Sequence, residues 1–349
     1  MSMSDQPGPA VDGNSHWRRR LSEYHKPGAA RGAGELAITA IPFTLAWIAM
    51  CLAVSHGYFW IDALLLLPAS GLLVRLFLIQ HDCGHRAFFA NRNANDWLGR
   101  FLSVLTLTPY DHWRRAHAIH HATSGNLGRR GVGDVDTLTV HEYLRRSRWT
   151  RLRYRLYRHP LVMFGIGPIF VFVIQNRFPA GFTRQWRPWL STIATNVAIV
   201  VACGLLIWTL GLKVFLLVHV PVLLLAALAG VWLFYVQHQF EHTYWAQNDA
   251  WNAQDAALHG SSHYDLPRVL RWFTANIGVH HVHHLSSRIP YYRLPTVLRD
   301  YPELVKVSRV TLLQSFRCIR LVLWDEDKRR LISFRELRRG QPLEYAPAA

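Results

Sequence analysis

Cysteine is scarce in this 349-residue chain, and the four cysteines are widely separated. Cys51, Cys83, Cys203 and Cys318 form no Cys-x-x-Cys pair, which argues against a disulfide framework and against a thiolate zinc site. Acidic residues are also few, with 22 Asp and Glu against 39 Lys and Arg. No Glu-x-x-His pair occurs anywhere, so the carboxylate-rich metal site of soluble four-helix bundles is excluded as well.

The formal net charge is +17, and the basic residues concentrate between long apolar runs. Such an excess indicates either a nucleic-acid partner or the cytoplasmic loops of a membrane protein. Because no basic helix or recognition motif stands apart from the apolar runs, we predict no nucleic-acid partner. Half of the residues are hydrophobic, and their arrangement in long blocks is typical of a membrane protein.

The polar N-terminal segment contains no apolar core of the kind found in a secretion signal. We therefore predict a disordered basic cytoplasmic tail over residues 1–33. A membrane domain is expected over 34–308, followed by a basic cytoplasmic C-terminal segment over 309–349.

Four apolar blocks approach the length of about 20 residues that a helix needs to cross a bilayer. They are Gly34–Val54, Tyr58–Gln80, Leu190–Leu210 and Val214–Val236. Short linkers at residues 55–57 and 211–213 join these blocks in pairs. The pattern predicts two transmembrane helical hairpins.

Two further apolar stretches, Phe101–Thr108 and Pro160–Gln175, are too short for an untilted span. Arginines flank the second stretch on both sides, which indicates that both of its ends face the cytoplasm. A crossing there would also separate the histidine-rich segments before and after it. We therefore predict a re-entrant or interfacial element, although a fifth span would be permitted if the histidine groups were unrelated.

Eight of the 20 histidines fall into three compact groups. Spacings of three and four residues place side chains on one face of a helix, so each group can present converging imidazoles. A ninth candidate, His238, lies just beyond the fourth apolar block. The groups are His81 and His85 in HDCGH; His117, His120 and His121 in HAIHH; and His280, His283 and His284 in HHVHH.

Neutral imidazole binds Fe, Zn, Cu or Ni, so the ligand type alone does not select the metal. A structural zinc is satisfied by four ligands, whereas eight or more histidines can serve two metals and leave positions open for oxygen. We predict a nitrogen-rich two-metal site at the membrane face, with no catalytic residues beyond the ligands. Candidates for an outer layer that orients the imidazoles are His242, His281, Asp82, Glu241, Asp134 and Asp136.

The three groups, in this order and with the continuation HHVHHLSSRIPYYRLP, resemble the histidine boxes of membrane fatty acid desaturases. The likeness is greatest to the bacterial acyl-lipid and Δ12 or omega-6 type, and it runs from about Leu76 to Leu298. It implies that the eight grouped histidines match the family's iron ligands and that His238 matches an additional one. It also implies two iron ions and O₂ as co-substrate.

The resemblance leads us to expect an all-α integral membrane enzyme in a bacterial inner membrane. It would consist of two hairpins, a re-entrant or interfacial element and a cytoplasmic histidine-rich di-iron cap. Its expected reaction is the O₂-dependent introduction of a cis double bond into the acyl chain of a membrane lipid. No His-Pro-Gly-Gly haem motif of a fused cytochrome b5 occurs, so a separate ferredoxin-like protein is the expected electron donor.

Two alternatives stay open at this stage. A hydroxylase or ketolase acting on an alkane, sterol or carotenoid would use the same di-iron site. A metal transporter belongs to a different class and would use the histidines as a cation relay, although transporters place their polar ligands near the bilayer midplane.

Overall fold

The computed structural model describes residues 13–340, and this part of the chain is predominantly helical. Four of its helices are long and apolar enough to cross a membrane, which confirms the predicted all-α membrane fold. The helices up to the last of these are α1 Gly13–Leu21, α2 Ala29–Ser55, α3 Phe59–Gly84, α4 Arg92–Leu105, α5 Tyr110–Thr123, α6 Val140–Arg145, α7 Arg148–Tyr157, α8 Gly167–Ile169, α9 Trp186–Leu210, α10 Leu212–Val214 and α11 Val220–His238.

The remaining elements belong to a cap on one side of the long helices. Its helices are α12 Ala253–His259, α13 Arg268–Phe273, α14 His280–Leu285, α15 Leu294–Asp300, α16 Leu312–Cys318 and α17 Phe334–Gly340. The strands are β1 Leu138–Thr139, β2 His263–Asp265, β3 Arg309–Thr311, β4 Leu323–Asp325 and β5 Arg330–Ile332.

The first hairpin consists of α2 and α3, whose most apolar windows have mean hydropathies of 2.1 and 1.9. In the turn, Gly57 has a φ of +83°, a conformation that glycine adopts without strain. Helix α3 runs four residues beyond the predicted block, to Gly84. His81 therefore lies in the last turn of a membrane helix, at the face where the cap begins.

The N-terminal segment differs from the predicted disordered tail. Residues 1–12 lie outside the described part of the chain, but Gly13–Leu21 forms a helix and α2 begins at Ala29 instead of Gly34. The Tyr24 hydroxyl donates to Asp300 Oδ2 at 2.8 Å. Leu21 and Tyr24 are also buried in the core, and these contacts order the segment despite its polar composition.

The second hairpin consists of α9 and the apolar helix Leu212–His238, which contains α10, a π-helical turn and α11. Gly211 joins them with a φ of +80°. Only 11% of the most apolar window of α9 is buried, and its outer face exposes several Leu, Ile and Val side chains. An apolar face of this extent needs hydrocarbon around it, so this is a membrane protein.

Helix α7 and the apolar segment Val162–Arg177 are bent by 55° relative to each other. Arg158 lies at the bend and is 3% exposed. Its guanidinium donates to the carbonyl oxygens of Asp136 and Leu321, each at 2.9 Å, and to Gln239 Oε1 at 3.0 Å. These bonds satisfy the buried charge and anchor the bend to the cap.

The histidines before and after the bent segment meet in space, with His120 Nε2 3.1 Å from His238 Nε2. Two membrane helices, α9 and α11, already lie between these residues in the chain. A third crossing at Val162–Arg177 would carry the two imidazoles to opposite faces. The segment therefore enters from the cap side and returns to it, as predicted.

The C-terminal segment is interleaved with the rest of the cap. Strand β3 pairs in parallel with β2, while β4 pairs in parallel with β1 and antiparallel with β5. Because β1 and β2 precede residue 309, the described part of the C-terminal segment packs into the cap.

Candidate metal centre

Four elements bring the nine candidate histidines together at the cap face of the membrane helices. His81 lies in the last turn of α3, and His238 is the last residue of α11. The second histidine group lies on α5, and the third opens α14. Because α3 and α11 pack against each other, their ends fix the positions of the two short histidine helices.

The first group contains five histidines that each contribute one nitrogen, all within 4.8 Å of one another. The Nε2 atom of His117 lies 3.0 Å from that of His81 and 3.1 Å from that of His121. The five are His81, His85, His117, His121 and His283.

A second group adjoins the first. His120, His238 and His284 have ring nitrogens within 4.8 Å of one another. The Nε2 atom of His280 is 3.1 Å from the Nε2 atoms of both His238 and His284. The rings of His121 and His284 stack with their centroids 4.0 Å apart, so the two groups are in direct contact. All nine predicted candidates thus lie in one cluster, divided five and four.

Hydrogen bonds on the side away from the cluster fix the orientation of two of the imidazoles. His120 Nδ1 donates to Asp134 Oδ1 at 2.6 Å, and His238 Nδ1 donates to the Gly260 carbonyl oxygen at 3.2 Å. Asp82 Oδ2 accepts from the Tyr291 backbone N–H at 2.7 Å. Its other oxygen lies 3.4 Å from the Nδ1 atom of the preceding histidine. Such outer contacts select the tautomer whose Nε2 lone pair faces the cluster.

These tautomers test whether the residues fit a metal. A neutral imidazole has a single N–H group, and His120 and His238 each use theirs at Nδ1. In the neutral forms of the two rings, their Nε2 lone pairs therefore face each other at 3.1 Å. Converging imidazole nitrogens of this kind are a donor set that first-row transition metals accept. The cluster therefore fits two metal ions, one in each group.

Burial keeps six of the clustered imidazoles in the uncharged form that binds a metal. Desolvation first, and the neighbouring imidazoles second, hold the pKa of these six histidines far below its usual range. Metal binding requires a neutral imidazole, so these six can bind metal without first losing protons at neutral pH. The lowered pKa values are those of His85, His117, His121, His280, His283 and His284.

Residues 58–315 match the family model described as fatty acid desaturase. This match covers well over half of the chain. The chain belongs to the fatty acid desaturase family. It is 43% identical over 321 residues to a fatty acid desaturase of Bacillus subtilis, an alignment that covers 92% of this chain and 90% of that protein.

More distant similarity connects this desaturase-family member with cyanobacterial proteins. It is 28% identical over 228 residues to the sn-1 oleoyl-lipid 12-desaturase of Synechocystis, covering 64% of this chain and 63% of that protein. It is 29% identical over 233 residues to the sn-1 acyl-lipid omega-3 desaturase (ferredoxin) of the same organism, covering 63% and 61%. Desaturases are oxidoreductases and typically use a di-iron histidine-box centre, so the metal-transporter alternative is set aside.

Two predicted outer residues do not reach the cluster. Helix α11 ends at His238, so His242 does not follow it by one helical turn, and its side chain is exposed. Glu241 is exposed as well and pairs with Arg330 at 3.1 Å. The prediction for His242 assumed that the helix continues beyond His238, whereas the Glu241 carboxylate is instead taken up by a basic partner in the cap.

Two other predicted outer residues have different contacts. His281 is fully buried, but its Nε2 atom lies 3.0 Å from the Leu304 carbonyl oxygen, outside both histidine groups. Burial lowers the pKa of His281 to about 3. The Asp136 side chain is exposed, and its hydrogen bonds are made by its backbone. His281 therefore anchors α14 to the cap.

Sequence reasoning missed two aromatic rings and a carbonyl group at the site. Trp113 stacks on His117 with ring centroids 4.6 Å apart, and Phe234 lies 5.0 Å from His238. Each aromatic residue precedes its histidine by four positions, the same helical spacing that identified the histidine groups. The role of the Gly260 carbonyl group could not be predicted from the sequence, because every residue type has a backbone carbonyl.

An apolar cavity of about 550 Å³ reaches both histidine groups, a volume within the ~300–1,000 Å³ typical of ligand pockets. His81 and His117 of the first group and His280 of the second line its wall. Apolar side chains of α3, α11 and the re-entrant segment line the rest, including Phe77 and Phe170. The cavity can hold a flexible hydrocarbon chain against the cluster.

Proposed function

We propose that this enzyme introduces a cis double bond into the acyl chain of a membrane lipid, using O₂ and two iron ions bound by the nine histidines. The observation that carries the proposal is the apolar cavity whose wall includes histidines of both groups. Acid–base chemistry by side chains does not break an unactivated methylene C–H bond. The iron pair, when bound, supplies the oxidising power for that step.

The contribution of the chain's own residues is positioning and exclusion of water. Asp134 and the Gly260 carbonyl keep two imidazoles in the metal-binding tautomer. Trp113 covers His117, and it lines the cavity together with Phe77 and Phe234. A dry apolar wall holds a methylene pair close to the cluster and keeps water away from it.

We further propose a monounsaturated lipid acyl chain as substrate, with a second double bond in the product. Support comes from the Synechocystis relative named sn-1 oleoyl-lipid 12-desaturase and from a cavity built by membrane helices. A separate ferredoxin-like protein would deliver the electrons, since another Synechocystis relative carries ferredoxin in its name.

The proposed location is a bacterial inner membrane, with the cap in the cytoplasm. The two turns on the far side of the membrane, residues 55–57 and 211–213, contain one Lys and no Arg, while the cap side contains nearly all of the basic residues. Basic loops remain on the cytoplasmic side during insertion.

The deciding experiment is lipid analysis after expression in a host that lacks desaturases and contains a ferredoxin system. We expect a new fatty acid lighter than its precursor by two hydrogens, formed only under O₂. His120→Ala, which removes a ring from the second group, should give none. A product that gains one oxygen and keeps its hydrogens would instead identify the hydroxylase alternative.

A further inference from the structure

A second cleft, of about 1110 Å³, lies between α4, α5 and the beginning of α9. Helix α5 separates it from the acyl cavity, because Ala116 and His117 line the cavity whereas Arg115 and Ala118 line the cleft. We refer to this space as the α4–α9 cleft. The cleft is therefore a different space from the one proposed for the reacting chain, and it reaches the cluster only at His85 of the first group.

The cap side of the α4–α9 cleft is strongly basic. Asp96 and Asp111 pair with three of its arginines: Arg114 lies 2.9 Å and Arg86 3.6 Å from Asp96, and Arg100 lies 3.0 Å from Asp111. Five arginines against two aspartates leave a surplus of positive charge.

Two further arginines of the cleft, Arg115 and Arg187, have no carboxylate partner among residues 13–340. Arg115 donates to the Gln185 side chain, and Arg187 lies over the Trp186 ring at 5.5 Å. Both guanidinium groups are exposed to the cleft and can bind an anion.

The membrane side of the cleft is apolar. Its wall is formed by Val104 of α4 and by Leu190, Ala194 and Ala198, which follow one another along the membrane helix α9. Trp97 and Trp186 line the cleft and are 69% and 68% exposed. Trp186 is the first residue of the membrane helix α9, and an exposed tryptophan at the end of a span marks the level of the lipid headgroups. The arginines thus lie at headgroup depth, and the apolar wall lies at hydrocarbon depth.

We propose that the α4–α9 cleft is a binding site for one anionic phospholipid, separate from the acyl cavity. Its phosphate would bind Arg115 and Arg187 through charge-assisted hydrogen bonds, and one acyl chain would lie along Ala194 and Ala198. An acidic electron-donor protein could also bind the arginines through opposite charge. It would not reach the apolar half of the cleft, because that half lies at the depth of the bilayer.

The test measures lipid binding to the purified full chain in detergent by native mass spectrometry, with phosphatidylglycerol and phosphatidylcholine as probes. We expect one phosphatidylglycerol to bind at least tenfold more tightly than phosphatidylcholine. The double variant Arg115→Gln/Arg187→Gln should lose this preference. Arg184→Gln is the matched control, because Arg184 is exposed in the same region but does not line the cleft.

A second variant tests the apolar half. Ala194→Trp fills the apolar half of the cleft without changing a charge, and it should weaken phosphatidylglycerol binding at least tenfold. Inorganic phosphate should not compete at equal concentration, because it has no acyl chain. Melting curves without added lipid identify any variant that fails to fold. If the double Gln variant does not fold, Arg115→Lys/Arg187→Lys replaces it. This variant keeps both charges but loses the paired guanidinium donors, so it should bind phosphatidylglycerol less tightly than the unmodified protein.

Several outcomes would overturn the lipid site. Unchanged lipid affinity in the double variant would remove the two arginines from it, and an equal loss in Arg184→Gln would reduce the effect to general surface charge. Effective competition by inorganic phosphate would leave only an anion site. If the double variant binds lipid normally but is reduced more slowly by ferredoxin, the cleft is a protein-docking surface. Because lipid binding is measured without turnover, a failed desaturation assay would not affect this result.

Discussion

At the scale of single residues, the cluster depends on imidazole Nε2 atoms from distant segments that lie about 3 Å from one another. Removing one ligand from either group leaves an incomplete set for its metal. We expect His85→Ala, His120→Ala and His283→Ala each to abolish activity while the protein remains in the membrane, since these residues lie beyond the hydrocarbon core. Elemental analysis should give two irons per chain in the unmodified protein and fewer in each variant, without haem absorption. Finding a single zinc would contradict the di-iron assignment.

The carboxylate behind His120 offers a sharper test at the same scale. Asp134→Asn preserves the shape but weakens the acceptor for His120 Nδ1–H, and loss of such an outer partner typically costs about 10–100-fold in metal affinity or activity. Asp136→Asn is the matched control, because the Asp136 side chain is exposed. Iron affinity measured by competition with a chelator distinguishes the two. Equal affinities would show that Asp134 has no orienting role.

At the scale of elements, α2, α3 and the chain after α14 are joined by a buried polar network. Arg75 pairs with Glu35, and Tyr291 Oη donates to Glu35 Oε2 at 3.1 Å. Breaking a buried pair strands a charge and costs about 3–5 kcal/mol, so Glu35→Ala should lower the melting temperature strongly. The double variant Glu35→Ala/Arg75→Leu should recover most of the melting temperature that Glu35→Ala loses, because no unpaired buried charge is left. Asp265, the half-buried partner of the exposed Arg309, serves as control, because Asp265→Ala should lower the free energy of unfolding by only about 0–1 kcal/mol.

The helices also set the depth of the acyl cavity. A second apolar space of about 40 Å³ shares Phe77, Phe172 and Gly230 with the main cavity, so these residues lie where one space meets the other. Phe172→Ala should join the two spaces and shift the products toward longer chains. Gly230→Leu should do the opposite, because a Cβ there meets no atom within 4 Å and the side chain would extend into open space. Gas chromatography of the products checks both, and a shift in the same direction for both variants would contradict this assignment.

At the scale of the whole molecule, the cluster determines the topology. Histidines from both sides of Val162–Arg177 are in contact, so this segment cannot cross. A reporter inserted after Thr183 should give the same cytoplasmic signal as one at either terminus, and a reporter at His56 should give the opposite signal. Both insertions lie in connections between helices, where added domains are best tolerated. A periplasmic signal after Thr183 would establish a fifth crossing and refute the four-span topology.

The sequence alone determined the features that depend on short-range pattern. Hydropathy over about 20 residues identifies a span, and spacings of three and four identified the histidine groups whose members His81, His120 and His280 now line one cluster. A membrane topology could also be predicted, because parity and the distribution of basic residues specify one, and the reporter insertions test it. These properties need no knowledge of which distant segments touch.

Only the tertiary structure decided how the nine histidines divide into five and four, because that depends on how α5 and α14 meet the ends of α3 and α11. It also decided the outer contacts: Asp134 reaches a ring, whereas Glu241 does not, since α11 ends at His238. The Gly260 carbonyl and the α4–α9 cleft likewise result from segments far apart in the chain. Cavities and outer contacts are set by long-range packing, which local spacing does not specify.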